Sequence, residues 1–174
     1  MLLDAAIVTK VCLFLPWAAH NVLKMAYSSP LIETPRLVLR PWAVTDVDGL
    51  YRLWTDADVQ RYLWDDIVIP RDRAAETCIF RRESPHLIGF CGFRHIEDSP
   101  DIEILYGLMP GVWKQGLAFE ACTAILEYGF TTALFDRVFG RADVQNQGSV
   151  RVLERLGMGF KGQTMIGNLP TLVY

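Results

Sequence analysis

The chain has 174 residues, 51% of them hydrophobic and 21% charged, the balance of an ordinary globular domain rather than of a disordered or coiled one. At this length a single domain buries about two-thirds of its unfolded surface, so no disulfide or metal staple is required. A formal net charge of −3 without a Lys/Arg block argues against nucleic acid as a partner, because phosphate contacts need a clustered basic footprint; a small or basic partner is expected instead.

Residues 1 to 24 are apolar but interrupted by Asp4, Lys10, Pro16 and His20. A spanning helix needs about 20 clean apolar residues, and a signal peptide needs a basic start; neither pattern fits. Residues 1–24 are therefore read as an extension outside the fold, with Met25 as a functional start and 25–174 as the domain. A peripheral membrane-touching helix is the rival reading.

From residue 35 the pattern becomes regular. PRLVLRPW alternates apolar and basic residues as a half-buried strand does. Thr45 with Asp48 reads as a helix start leading through Leu50, Leu53 and Trp54, and Thr55 with Asp58 repeats the device before VQRYL. CIFRRES and PHLIGFCGFRHI read as two strands joined by a Ser-Pro turn. DIEILYGLMP is a further strand closed by Pro110. Residues 116 to 134 form the longest helix, with Ala118, Ala121, Cys122, Ile125 and Gly129 on one face. VFGRADV is a strand, SVRVLERLG a short helix ending at Gly157, and TMIG with PTLVY a terminal hairpin. Strands on both sides of one main helix imply an α+β fold with a mixed sheet. Trp42, Trp54, Tyr62 and Trp64 read first as core or rim packing.

Cys12, Cys78, Cys91 and Cys122 contain no C-x-x-C pair, and His20, His86 and His95 stand far apart, so no metal site is expected. The spacing suits reduced, cytoplasmic chemistry. Cys78 and Cys91 would face each other if their segments paired in the right register; the alternative is that both are small core residues.

The order strand, proline, Gly111, Gly116, helix gathers backbone N–H groups and the positive end of a helix dipole at one point, a way to hold phosphate. The stretch GVWKQGLA has neither P-loop nor dinucleotide-fingerprint spacing. Alone it is balanced against an ordinary strand-to-helix loop.

PRLVLRPW, LIGFCGF, EILYGLMPGVWKQGLAFEA and NQGSVRVLERLGM, in that order and spacing, resemble the GNAT superfamily of N-acetyltransferases, in particular its ribosomal-protein-alanine branch, over about residues 31 to 174. The resemblance implies a mostly antiparallel sheet with splayed central strands, flanked by helices. It implies acetyl-CoA as co-substrate and direct attack by a primary amine, from a protein N-terminus or a small molecule, in a ternary complex. It further implies that the backbone of Tyr106 and Leu108 pairs with the pantetheine arm. The amides of Lys114, Gln115, Gly116, Leu117 and Ala118 would hold the pyrophosphate, and Asn146 matches the family's asparagine beside the splay. A monomer or homodimer is expected.

Acetyl transfer to an ammonium needs a proton acceptor, a polarised carbonyl and a donor for the leaving thiolate. By resemblance Glu103 is the candidate base; its other reading is a carboxylate paired with a nearby arginine. Many family members carry a tyrosine where this chain has Leu153, whereas the resembled branch has a serine that Ser149 matches. Ser149 is either that proton donor or a cap for the helix it opens. Trp113 replaces the arginine or glutamine common in the loop. The span from Asp65 to Leu87 looks compressed, which would leave the acceptor side open, altered or damaged; the alternative reading is therefore a GNAT-like domain that binds acyl-CoA with lost or weak catalysis.

Overall fold

The computed structural model describes residues 30–62, 76–96 and 99–174; the extension 1–24 and residues 65–75 of the compressed 65–87 span lie outside them. A five-stranded antiparallel sheet runs β1 (Ile32–Glu33), β2 (Leu37–Pro41), β3 (Glu76–Arg81), β4 (Leu87–His95) and β5 (Ile102–Leu108) in sequential order. A three-stranded sheet has β6 (Arg141–Asp143) and β7 (Gly162–Ile166) on either side of β8 (Leu169–Val173). Short helices α1 (Val47–Thr55) and α2 (Ala57–Gln60) follow β2; α3 (Leu117–Thr131) follows β5, and α4 (Gln147–Arg155) follows β6. The mixed α+β, mostly antiparallel architecture is the expected one.

The alternation in β2 puts Leu37 and Leu39 fully inside, as a strand period of two requires. Leu117, Ala121, Cys122, Ile125 and Gly129 form the buried face of α3, and Val150 and Leu153 that of α4. These pack with Cys91, Phe93 and Ile104 of the sheet as the main core. Leu53 and Val59 of α1 and α2 meet Phe90 in a separate cluster.

Three local expectations are corrected. Both short helices start one residue away from the expected threonine devices. The Asp46 carboxylate accepts from the Ala43 N–H at 2.7 Å and from Arg40 at 2.7 and 2.9 Å, and the Arg40 bond holds the Asp46 carboxyl below its ordinary range. At α2 the cap is Asp56, which accepts from Asp58 N and Val59 N. A free aspartate oxygen aimed at the first turn satisfies the orphan N–H groups better than the Thr hydroxyl next to it. Third, β3 and β4 do pair, but Cys78 stands opposite Phe90 and Cys91 opposite Thr77. One residue of register turns the two thiols to opposite faces, and neither is in a disulfide.

The sheets meet at one point. Ile104 N donates to Phe139 O at 2.9 Å and Phe139 N to Ile102 O at 2.8 Å, a single parallel bridge at Glu103. Beyond it the chain changes partner: Gly140 pairs with Tyr174, and β6 continues along β8. The expected strand VFGRADV is thus split at Gly140. A Cβ there would lie 2.5 Å from Leu153 Cδ2, so the crossing of strand and helix has no space for a side chain. Past the bridge, β5 runs on with no backbone neighbour on that edge among the described residues.

Candidate active site

Ladder alternation decides what the open edge of β5 offers. Ile102 and Ile104 direct their backbone groups toward Phe139, while Met109 N donates to Ile88 O across β4 at 2.8 Å. Even-numbered residues of β5 therefore point away from β4. The Tyr106 N–H and C=O and the Leu108 N–H face the splay with no backbone partner among the described residues. The Leu108 carbonyl is taken: the Trp113 indole N–H donates to it at 2.7 Å. Of the backbone pair expected at Leu108 only the N–H stays open, and Trp113 is a fastener that folds the loop back onto β5.

The loop ends in an unusual backbone. Lys114 has φ 60°, a left-handed conformation that costs a side-chain-bearing residue about 1 kcal/mol or more. Gly116, the residue before α3, has φ 75° and supplies no side-chain cap; only glycine takes that conformation without penalty. From Lys114 to Phe119 no backbone N–H finds an acceptor among the described residues, and Glu120 N is the first to bond back, to Gly116 O at 3.1 Å. Left-handed residues alternating with ordinary ones turn successive N–H groups inward as a concave anion site, here at the positive end of a helix of 15 residues. The expected amides of Lys114, Gln115, Gly116, Leu117 and Ala118 all lie in this run.

Across the splay stands α4. The Tyr106 hydroxyl donates to the Ser149 carbonyl at 3.2 Å, and burial pushes the Tyr106 phenol well above its ordinary range, so it stays a neutral donor. Asn146 caps α4: its Oδ1 accepts from Ser149 N at 3.1 Å. Asn146 thus has a structural duty at the start of α4. Ser149 lies inside the first turn rather than at its start, which corrects the cap reading, and its Oγ has no hydrogen-bond partner among the described residues. Leu153 is fully buried in the core, so that position has no proton to give.

Glu103 is fully buried where the two sheets meet. Its Oε1 accepts from Arg94 Nε and, at 2.7 Å, from Arg141 Nη2; its Oε2 accepts from Arg141 Nε. Both oxygens are engaged by guanidinium groups from β4 and β6, so the geometry favours the paired reading over that of an open proton acceptor. The sequence reading that paired Glu103 with a nearby arginine named neither Arg94 nor Arg141, which come together only through the register Arg94↔Glu103 and the bridge at Phe139. It also missed what holds the anion loop, the set Thr34, Arg36, Arg81 and Glu120. Only the position of Arg36 in the alternating strand PRLVLRPW hinted at it.

Among the described residues no group of three or more His, Cys, Asp and Glu could hold a metal ion, and no helix is long and apolar enough to cross a membrane.

A strand edge with open backbone groups, running into an uncapped helix through an N–H-lined loop, is the arrangement of an acetyltransferase, and residues 36–159 match the model of the acetyltransferase (GNAT) domain. The chain belongs to the GNAT family of N-acetyltransferases, whose members transfer acetyl groups. The uncharacterized N-acetyltransferase p20 of Bacillus licheniformis is 30% identical across 75% of this chain and 83% of its own length. A GNAT-family acetyltransferase from Bacillus anthracis has a similar structure, with TM-score 0.74 and 24% identity, covering 83% of this chain and 96% of that one. The ribosomal-protein-S5-alanine acetyltransferase of Vibrio fischeri shares the fold with TM-score 0.68 and 13% identity, covering 83% and 94%.

Proposed function

We propose that this protein transfers the acetyl group of acetyl-CoA to a primary amine by direct attack within a ternary complex. The observation that carries this reading is two sets of open backbone donors, Tyr106 and Leu108 on the splayed edge and Lys114–Phe119 at the end of the loop that follows. An extended amide-bearing arm ending in a pyrophosphate fits these donors without side-chain charge. Acetyl-CoA would supply the activated thioester. The chain's part is to orient it: Tyr106 and the Leu108 N–H along the arm, and the amides of Lys114, Gln115, Gly116, Leu117 and Ala118 at the pyrophosphate.

The neutral amine forms the C–N bond as the C–S bond breaks; Ser149 passes its hydroxyl proton to the departing thiolate and regains one from the attacking nitrogen. Its Oγ is unclaimed among the described residues, and the Tyr106 hydroxyl ties its turn to β5. Glu103 enters as the anchor that fixes β5 against β6 at the mouth of the splay, and Asn146 as the cap that sets the pitch of α4. The acceptor is a protein N-terminus or a small amine, met in the cytoplasm by a monomer or homodimer. The Vibrio fischeri neighbour acts, by its name, on an alanine of ribosomal protein S5, so a peptide beginning with alanine is the first acceptor to try.

The test is calorimetry with CoA beside thiol release and mass spectrometry over a panel of alanine-first peptides and small amines. Binding together with acetylated product on at least one acceptor is expected. CoA binding without thiol release across the panel would leave a binding domain and sink the enzymatic reading.

A further inference from the structure

The anion loop is held by a carboxylate in its own helix. Glu120, in the first turn of α3, accepts from the Thr34 hydroxyl at 2.6 Å and the Arg36 N–H at 2.9 Å through Oε1, and from Arg36 Nε at 2.6 Å through Oε2. The turn between β1 and β2 is thereby fastened to α3 over more than eighty positions of sequence. The Arg36 fork has one arm left, and Nη1 donates to the Gln115 carbonyl at 3.0 Å. A peptide unit is planar and trans, with C=O and N–H opposed. Holding the Gln115 oxygen toward β2 therefore aims the Gly116 N–H the other way, into the loop. The Gln115 side chain is held as well, accepting from Arg81 Nη2 at 2.5 Å and donating to Gly111 O at 3.3 Å.

We propose that Arg36 is a positioning residue for acyl-CoA binding: Glu120 and Thr34 orient its fork, and the fork sets the Gln115–Gly116 peptide so that its N–H faces the pyrophosphate. This rests on the acetyl-CoA reading above. It differs from direct phosphate binding by Arg36, in which positive charge alone would suffice. A fork that bridges a carboxylate and a carbonyl needs the planar guanidinium, and lysine cannot replace it.

The experiment compares wild type, Arg36→Lys, Glu120→Gln and the double variant. CoA affinity is read by calorimetry, KM and kcat for acetyl-CoA by thiol release, and the Gly116 amide resonance by NMR of ligand-free protein, with thermal melts to verify folding. Each single variant is expected to weaken CoA binding by about tenfold, the scale of a lost charge-assisted hydrogen bond. KM should rise with kcat nearly unchanged, the Gly116 resonance should shift, and the double variant should be no worse than the worse single one.

If Glu120→Gln leaves both CoA affinity and the Gly116 resonance unchanged, the positioning role is overturned; CoA affinity kept in Arg36→Lys would overturn it too, because charge alone would then suffice, as in a direct phosphate contact. If wild type binds no CoA, the acetyl-CoA reading fails. The ligand-free Gly116 resonance then still decides whether the clamp sets that peptide.

Discussion

Glu103 and Glu120 are both carboxylates fastened by arginine, yet they sit in regions of different character. Glu103 is sealed where the two sheets meet, with 0% of its side chain exposed and Arg94 and Arg141 on either side. Glu120 lies at the rim of the anion loop with 15% exposed, and its partner Arg36 is half in water at 49%. Burial makes an ion cluster hard to break because a lone charge inside has no water to turn to. Partial exposure makes a clamp inexpensive to break and leaves its effect on geometry. The sealed cluster secures the fold, and the rim clamp shapes the ligand site.

The largest effect is expected at the sealed cluster. Glu103→Gln keeps the volume but leaves two guanidinium groups facing a neutral amide. Destabilisation of about 3 kcal/mol is expected, the scale of breaking one side of a buried ion pair, measured by denaturant unfolding. The folded fraction should keep the pH–rate profile of wild type. Loss of the acidic limb, the fall in rate at low pH as a general base is protonated, would instead make Glu103 the proton acceptor and reverse the contrast with Glu120.

A middle-sized effect separates Asn146 from Ser149, which share one helix turn. Asn146→Ala removes the α4 cap and should cost about 1 kcal/mol, a fall in Tm of about 2–4 °C for a chain of this size. Ser149→Ala should leave Tm within about 1 °C, since a hydroxyl without a partner contributes little to stability, while kcat falls by about a hundredfold, as for loss of a general acid. Equal Tm losses with unchanged kcat would return Ser149 to a structural role.

Much of this was legible in the sequence, and the reason differs from part to part. β2, β4, β5, α3 and α4 declare themselves through apolar periodicity, a local property of the chain. The positions of the loop amides follow from the strand–glycine–helix order. What stayed hidden is non-local or a matter of one residue. The joins Arg94–Glu103–Arg141 and Thr34–Arg36–Glu120 depend on which strands become neighbours. Cys78 and Cys91 missed each other by a single step of register. β1, two residues long, is too short to carry a period. Asp46, which ties the entry of α1 back to Ala43 and Arg40, and Asp56, which caps α2, sit beside threonines that match the usual pattern better, and only geometry selects between them.

The smallest effect is the pH response of the rim clamp. Burial alone would push the Glu120 carboxyl up, but the Thr34 hydroxyl and the Arg36 N–H and guanidinium outweigh it, and the group titrates below its ordinary value of 4.5. A folded value below the unfolded one means stability that is fully present above about 4.5 and is lost as pH falls through the folded value. Arg36 stays charged throughout, so Glu120 alone switches the pair. Water screens the half-exposed arginine, which keeps the contribution under about 1 kcal/mol. Thermal melts of wild type and Glu120→Gln should therefore differ slightly and constantly from neutral pH down to about 5, and converge at lower pH. A difference that did not shrink at all as pH fell below the ordinary carboxyl value would mean that the Glu120→Gln variant fails through lost hydrogen-bond geometry rather than lost charge. That outcome would move the clamp closer in kind to the sealed cluster at Glu103.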